Sequence, residues 1–315
     1  MKRWVIFTGI LALAIGGLVL GEMRKANVPV SPGGLLNFIA GLGREAGRIP
    51  GSVTRLSDQD EIKIGDELAS RYEIELSGPA SDQDRLVDAY VRKVGLWVAG
   101  HAHRKIPFKF HYIPSPYFVN AFALPGGRVF IGGRLIHLMS SEDELAAVLG
   151  HEVEHIDHYH CADRAQTEAV LRKLPLGGLV GLPVEVFEAG YSKEQEFEAD
   201  REGTRLAVKS GYSPLGAIHM FESFQKLHDE INLPAKNPGE QISQVAREAL
   251  EGYFRSHPKP SERIEQIKEL ISSEHWENLN HLRKLEVSEM FRTDTAKDNA
   301  ENSEEKRLEA KRRHP

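Results

Sequence analysis

At 315 residues, with 41% hydrophobic and 27% charged side chains, the chain fits one large domain with tails better than several domains. A formal net charge of -6 offers no basic surface for nucleic acid. The single cysteine, Cys161, excludes an intramolecular disulfide framework and a cysteine-rich zinc module, so any metal must be held by histidine and carboxylate. Cys161 itself reads as a structural thiol.

Lys2 and Arg3 precede an uncharged apolar run from Trp4 to Gly21. It is longer than the core of a signal peptide, about 7–15 residues. It just reaches the length of a minimal membrane span, about 18 residues. Val19 and Gly21 are small enough to permit cleavage before Glu22, so residues 1–23 read as a retained anchor or a removed signal. No cysteine follows the run to carry a lipid. The N-terminal amine, Lys2 and Arg3 outweigh Arg24 and Lys25, which Glu22 offsets; this bias favours export of the body. Either outcome places the catalytic part outside the cytoplasm, anchored at the periplasmic side or soluble in the periplasm.

Residues 24–56 are rich in glycine and proline and read as a linker, whose short apolar stretch Leu35–Leu42 is expected to dock on the body. Order is expected over 57–290. Ser57 can cap a helix with Asp60 in its first turn, followed by Ile62, Leu68 and Ala69. A second helix, about Asp82 to Ala99, carries Leu86, Val87, Tyr90, Val91 and Val94 at helical spacing. KFHYI then reads as a strand, and FVNAFALPGGRVFIGG as two extended arms about a Pro-Gly-Gly turn. Ser141 and Glu144 suggest a capping box opening the next helix. Residues 174–190 are glycine-punctuated and apolar, as in a loop or lid. Helix is expected again from Ser192 through Lys209, stopping at Gly211, and then onward to about residue 290. The charged tail, 291–315, lacks the apolar residues to fold. The class is α+β, mainly α.

Residues 150–156 read GHEVEHI. A helix advances about 3.6 residues per turn, so His151 and His155 share a face and can converge on one ion. Glu152 projects roughly 100° away, within reach of a water beside that ion. H-E-x-x-H on a helix is a specific zinc-hydrolase pattern; the plainer alternative is an exposed face that carries histidines by chance. A catalytic zinc takes three protein ligands and an open position. In KEQEFEAD, Glu196 and Asp200 lie one turn apart; alone they read as a solvated acidic face. With two histidines lacking a third ligand, Glu196 becomes the candidate, and Asp200 a hydrogen-bond partner for a ligand imidazole.

HEVEH followed by EFEAD and preceded by NAFALPGG resembles the zinc gluzincin peptidases of family forty-eight of the metallo class, the HtpX, BepA and CAAX prenyl protease type. EIKIGDELA, LVDAYVRKVG and HPKPSER extend the resemblance over roughly residues 57–270. It implies a zincin-like fold with a small sheet or hairpin beside the H-E-x-x-H helix. It also implies one Zn2+ per chain on His151, His155 and Glu196, with Glu152 as catalytic base. Other branches of the family surround the site with several spans. Having only its N-terminal run, this sequence looks like the single-anchor or periplasmic branch, and like the mitochondrial stress-protease type. The hairpin from Asn120 to Gly127 matches the segment beside the cleft, where Asn120, Ala121, Phe122 and Ala123 would bind an extended substrate through the main chain. His257 matches a histidine that can approach the metal, as an inhibitory fourth ligand or an oxyanion stabiliser. Tyr191 and Tyr253 are further candidates for the oxyanion. His160 ends the H-E-x-x-H helix as in many relatives and reads as structural, whereas His158, His101 and His103 read as surface residues. The implied activity is zinc-dependent endoproteolysis of misfolded or unassembled envelope proteins. A holdase with suppressed proteolysis and an aminopeptidase are the alternatives. Expected partners are unfolded protein chains and, if the N-terminal segment is uncleaved, a membrane.

Overall fold

A computed structural model describes residues 56–76, 81–115, 118–171, 182–188, 190–231 and 260–287. The apolar run, the linker, the charged tail, Tyr253 and His257 lie outside them. Among the described residues no helix is long and apolar enough to cross a membrane.

The first helix, α1 (Asp58–Leu76), starts where Ser57 Oγ accepts from the Asp60 amide at 3.2 Å, and it buries Ile64, Leu68 and Ala69. Helix α2 (Asp82–Ala99) opens on a reciprocal capping box between Ser81 and Asp84. It buries Val87, Tyr90, Val91, Val94 and Val98. Leu86, expected on that stripe, is instead 55% exposed, because it sits one position outside the 87/91/94/98 face.

Three strands follow: β1 (Lys109–Ile113), β2 (Ala121–Leu124) and β3 (Arg128–Gly132). The sheet order is β1-β3-β2, with β1 parallel and β2 antiparallel to β3. β2 and β3 are joined through Pro125, Gly126 and Gly127, and the glycines take φ of 75° and 99°, which side chains rarely adopt. Side chains alternate across the hairpin. Phe122, Leu124 and Phe130 join one core with Ile64 and Leu68, whereas Ala121, Ala123, Val129 and Ile131 join a larger one.

After the short α3 (Gly133–His137) comes α4 (Glu142–Asp157), the central helix, buried from Asp143 to Asp157 except at Val148. Its capping box is half formed. Ser141 Oγ accepts from the Glu144 amide, but the Glu144 carboxylate takes the Ser140 amide at 3.2 Å instead of closing on that of Ser141. Tyr159, at φ 62°, breaks the chain between α4 and α5 (His160–Leu171), so His160 opens a new helix instead of ending the old one. Within 174–190, residues 185–188 form a helical turn, α6 (Glu185–Glu188). Its Val186 and Phe187 are buried beside Phe122 and Phe130, which makes this part a wall and not a lid.

Helix α7 (Lys193–Lys209) begins with a full capping box between Ser192 and Gln195, and the chain reverses at Gly211, φ 83°. Then come α8 (Leu215–Ile231) and α9 (Pro260–Ser273). The helix expected to about residue 290 stops at Ser273. Beyond it the chain returns to the start of α4, where Ser141 bridges Lys284 and the Glu142 amide donates to Arg283 O at 3.0 Å. The buried Asp143 carboxylate fastens this junction, accepting from the amides of Ser213 and Arg283 at 2.6 and 2.5 Å.

Helices α4 and α7 meet backbone to backbone at Gly150 and Gly203. A methyl group on Gly203 would lie 2.6 Å from His151 N and 2.8 Å from Gly150 C; one on Gly150 would lie 2.7 Å from Gly203 O. Gly203→Ala must therefore push the helices apart. Overpacking of this kind costs about 1–3 kcal/mol. Thermal unfolding of the variant should shift down by roughly 2–4 °C for each kcal/mol, and unchanged unfolding would show that the crossing is looser than described.

Candidate active site

The crossing of α4 and α7 sets two histidines against a carboxylate. His151 Nε2 and His155 Nε2 are 3.1 Å apart, and they lie 3.5 and 3.6 Å from the two oxygens of Glu196. Zinc bonds of about 2.0–2.2 Å in a tetrahedron separate neighbouring ligand atoms by about 3.3 Å. The three side chains are buried and form a group able to hold a metal ion. Two imidazoles and one carboxylate also match the donor set of a catalytic zinc with one position left open.

Each donor is held from behind. His151 Nδ1 lies 2.9 Å from Asp200 Oδ1, which turns Nε2 toward His155 and Glu196, where an ion would sit. Asp200 is in turn clamped by Arg263 of α9, whose Nε and Nη2 donate to its two oxygens at 2.7 and 2.5 Å. Burial alone would raise the Asp200 carboxyl, but the charge and hydrogen bonds of Arg263, together with those of His151, hold the group below the usual carboxylate range. The Tyr191 amide donates to Glu196 Oε1 at 3.2 Å, and the Tyr191 ring stacks on His155 at 4.0 Å between centroids.

A model of peptidase family M48 matches residues 83–271. The chain belongs to peptidase family M48. Similar proteins include the beta-barrel assembly-enhancing protease of Escherichia coli, 26% identical over 260 residues, covering 76% of this chain and 48% of that protein. Metalloprotease LoiP, also of Escherichia coli, is 29% identical over 170 residues, 50% of this chain and 60% of its own length. The mitochondrial metalloendopeptidase OMA1 of Arabidopsis thaliana is 33% identical over 117 residues, 35% of this chain and 24% of its own. The chain thus spans about half the length of the first of these relatives.

Glu152, the residue that the M48 resemblance implies as base, is buried, and burial pushes its carboxyl up to about 7 in the metal-free protein. It shares with His151, Asp200 and Arg263 the lining of a pocket walled mainly by apolar side chains such as Val148, Met220, Phe221 and Phe224. Ala121 lines the same pocket. Phe122 does not: its ring stacks on Phe130 at 5.0 Å on the far face of the sheet. Ala123 O accepts from Cys161 Sγ at 3.5 Å. Tyr191 is turned away from an oxyanion role, because its hydroxyl donates to Cys161 Sγ at 3.2 Å within the core. His101 and His103 are on the surface as expected, but His158 is partly buried against Glu154, 2.7 Å away, and that contact raises its imidazole to about 9. Sequence reasoning passed over Arg263, whose only signal was its place in HPKPSER.

In the metal-free protein burial disfavours a charge on His151, but hydrogen bonds to Asp200 and Glu196 outweigh it and raise the imidazole to about 10. A metal must displace that proton, so below about pH 10 affinity rises with pH, by roughly tenfold per unit for each proton released. Chelator competition from pH 6 to pH 8 should show zinc affinity climbing; a flat profile would mean His151 is already neutral.

Proposed function

We propose that the chain is a zinc-dependent endopeptidase with Glu152 as its general base. The observation that carries this is the ligand triad at 3.1–3.6 Å with Glu152 beside it in an apolar pocket. Bound there, zinc supplies a Lewis acid and acidifies water to a pKa of about 7. The rest of the chemistry falls to side chains. Glu152 takes a proton from the attacking water and delivers it to the leaving amine. Cys161 is no competing nucleophile, since burial drives its thiol far above the range where a thiolate forms.

Strand alternation turns the main-chain groups of Ala121 and Ala123 away from β3, toward the edge where an extended substrate can pair. Ala123 O is already engaged by Cys161, which leaves Ala121 as the rung that a substrate meets. Asn120, whose buried Oδ1 has no hydrogen-bond partner among the described residues, directly precedes that rung. Main-chain recognition suits unfolded chains of many sequences. Similarity to beta-barrel assembly-enhancing proteases supports misfolded or unassembled envelope proteins as the substrate class. The apolar run Trp4–Gly21 after Lys2 and Arg3 supports export of the 57–290 body, either anchored at a membrane or soluble in the periplasm.

Glu152→Gln should retain stoichiometric zinc yet lose about 100- to 10,000-fold in cleavage of an internally quenched unfolded substrate. Activity above a few per cent of wild type would overturn the assigned base. Cleavage confined to a free N-terminal amide would instead identify an aminopeptidase.

A further inference from the structure

The two ligand histidines are oriented by different means. Behind His151 stands a buried carboxylate, Asp200, whereas His155 Nδ1 faces another imidazole, His160 Nδ1, at 3.0 Å. The far nitrogen of that ring, Nε2, lies 3.2 Å from Glu198 Oε2 on α7. Tyr159's left-handed turn is what swings His160 back over His155. A hydrogen bond between two Nδ1 atoms holds one proton, so the tautomers of the two rings are linked. If His155 offers Nε2 to a metal, its proton sits on Nδ1 and His160 must accept it. The His160 proton is then on Nε2, directed at Glu198. In the opposite arrangement His160 donates from Nδ1, and His155 carries its proton on Nε2, where it blocks ligation.

We infer that His160 and Glu198 form a positioning relay that selects the metal-binding tautomer of His155. The inference rests on the metal-centre reading above. Glu198 is the selector, because only an acceptor at that point favours the Nε2–H form of His160 over the other. Glu198 Oε2, 3.2 Å from His160 Nε2, is that acceptor. The Glu198 side chain is 41% exposed, in contrast with Asp200, so one ligand is set by a buried carboxylate and the other from near the surface.

Zinc affinity by chelator competition is the primary readout. Removing such an outer partner typically weakens metal binding by about 10–100-fold. Glu198→Leu, at a half-exposed position that tolerates substitution, and His160→Leu should each show a loss of this size. Glu198→Gln keeps an acceptor oxygen and should bind within a few-fold of wild type. The double variant should be no worse than His160→Leu alone, since the residues act in series. Nitrogen NMR of the zinc-loaded wild type should find the His155 proton on Nδ1. Wild-type affinity in Glu198→Leu, or additive losses in the double variant, would overturn the relay. Retention of zinc by His155→Ala and Glu196→Ala would overturn the metal centre itself, which separates the two failures.

Discussion

The contact that everything else depends on is the touching of two helix backbones at Gly150 and Gly203. Ligand atoms about 3 Å apart must come from main chains that are themselves close, since histidine and glutamate side chains are short. Gly150 directly precedes the first ligand. Glu196 lies two turns back from Gly203, while His155 lies just over one turn forward from Gly150, so the helices run in opposite senses along the site. Any side chain at the crossing would separate them by a carbon atom's width. The metal-binding geometry is in this sense a property of the crossing, with the ligands as its readout.

Around that crossing the protein keeps an unusual amount of charge out of water. His151, Glu152, Glu196, Asp200 and Arg263 are all buried. Ionised groups in such a place are tolerated only when each is matched in charge and hydrogen bonding. The bidentate Arg263–Asp200 pair meets that demand across a sequence gap of 63 residues, and so ties α9 to the ligand helices. The apolar wall formed by α8 thickens the dry surroundings, which strengthens each of these electrostatic contacts.

Much of this was legible from local pattern. Helix starts at Ser57, Ser81 and Ser192 follow from side chains bonding amides three residues on, a relation that lies within the sequence itself. So does the pairing of His151 with His155, one helical turn apart. What was hidden depends on the path between elements. Nothing near Arg263 shows that Asp200 is its partner, and nothing near His160 shows that a one-residue reversal returns it to His155. The same limit explains the errors. Leu86 fits an apolar stripe by composition, yet packing reached only the neighbouring face. Tyr191 has the chemistry for an oxyanion donor, but its hydroxyl was claimed by Cys161. The parallel placement of β1 beyond β3, which leaves β2 at the edge, is likewise a matter of how the chain crosses.

The hairpin has a reading frame. Along β2 small and large residues alternate, with Ala121 and Ala123 on the side of the metal centre and Phe122 and Leu124 on the other. Because strand side chains have a period of two, a slip of one residue exchanges the sets. Phe122 would then stand where Ala121 now borders the pocket, and a phenyl ring would occupy the room an incoming polypeptide needs. The frame is kept by the length of the Pro125–Gly127 connection, wedged against α1, where a methyl group on Gly126 would strike Glu61 O at 2.4 Å. Access to the cleft is thus encoded in a residue count, at a turn on which no reacting atom depends.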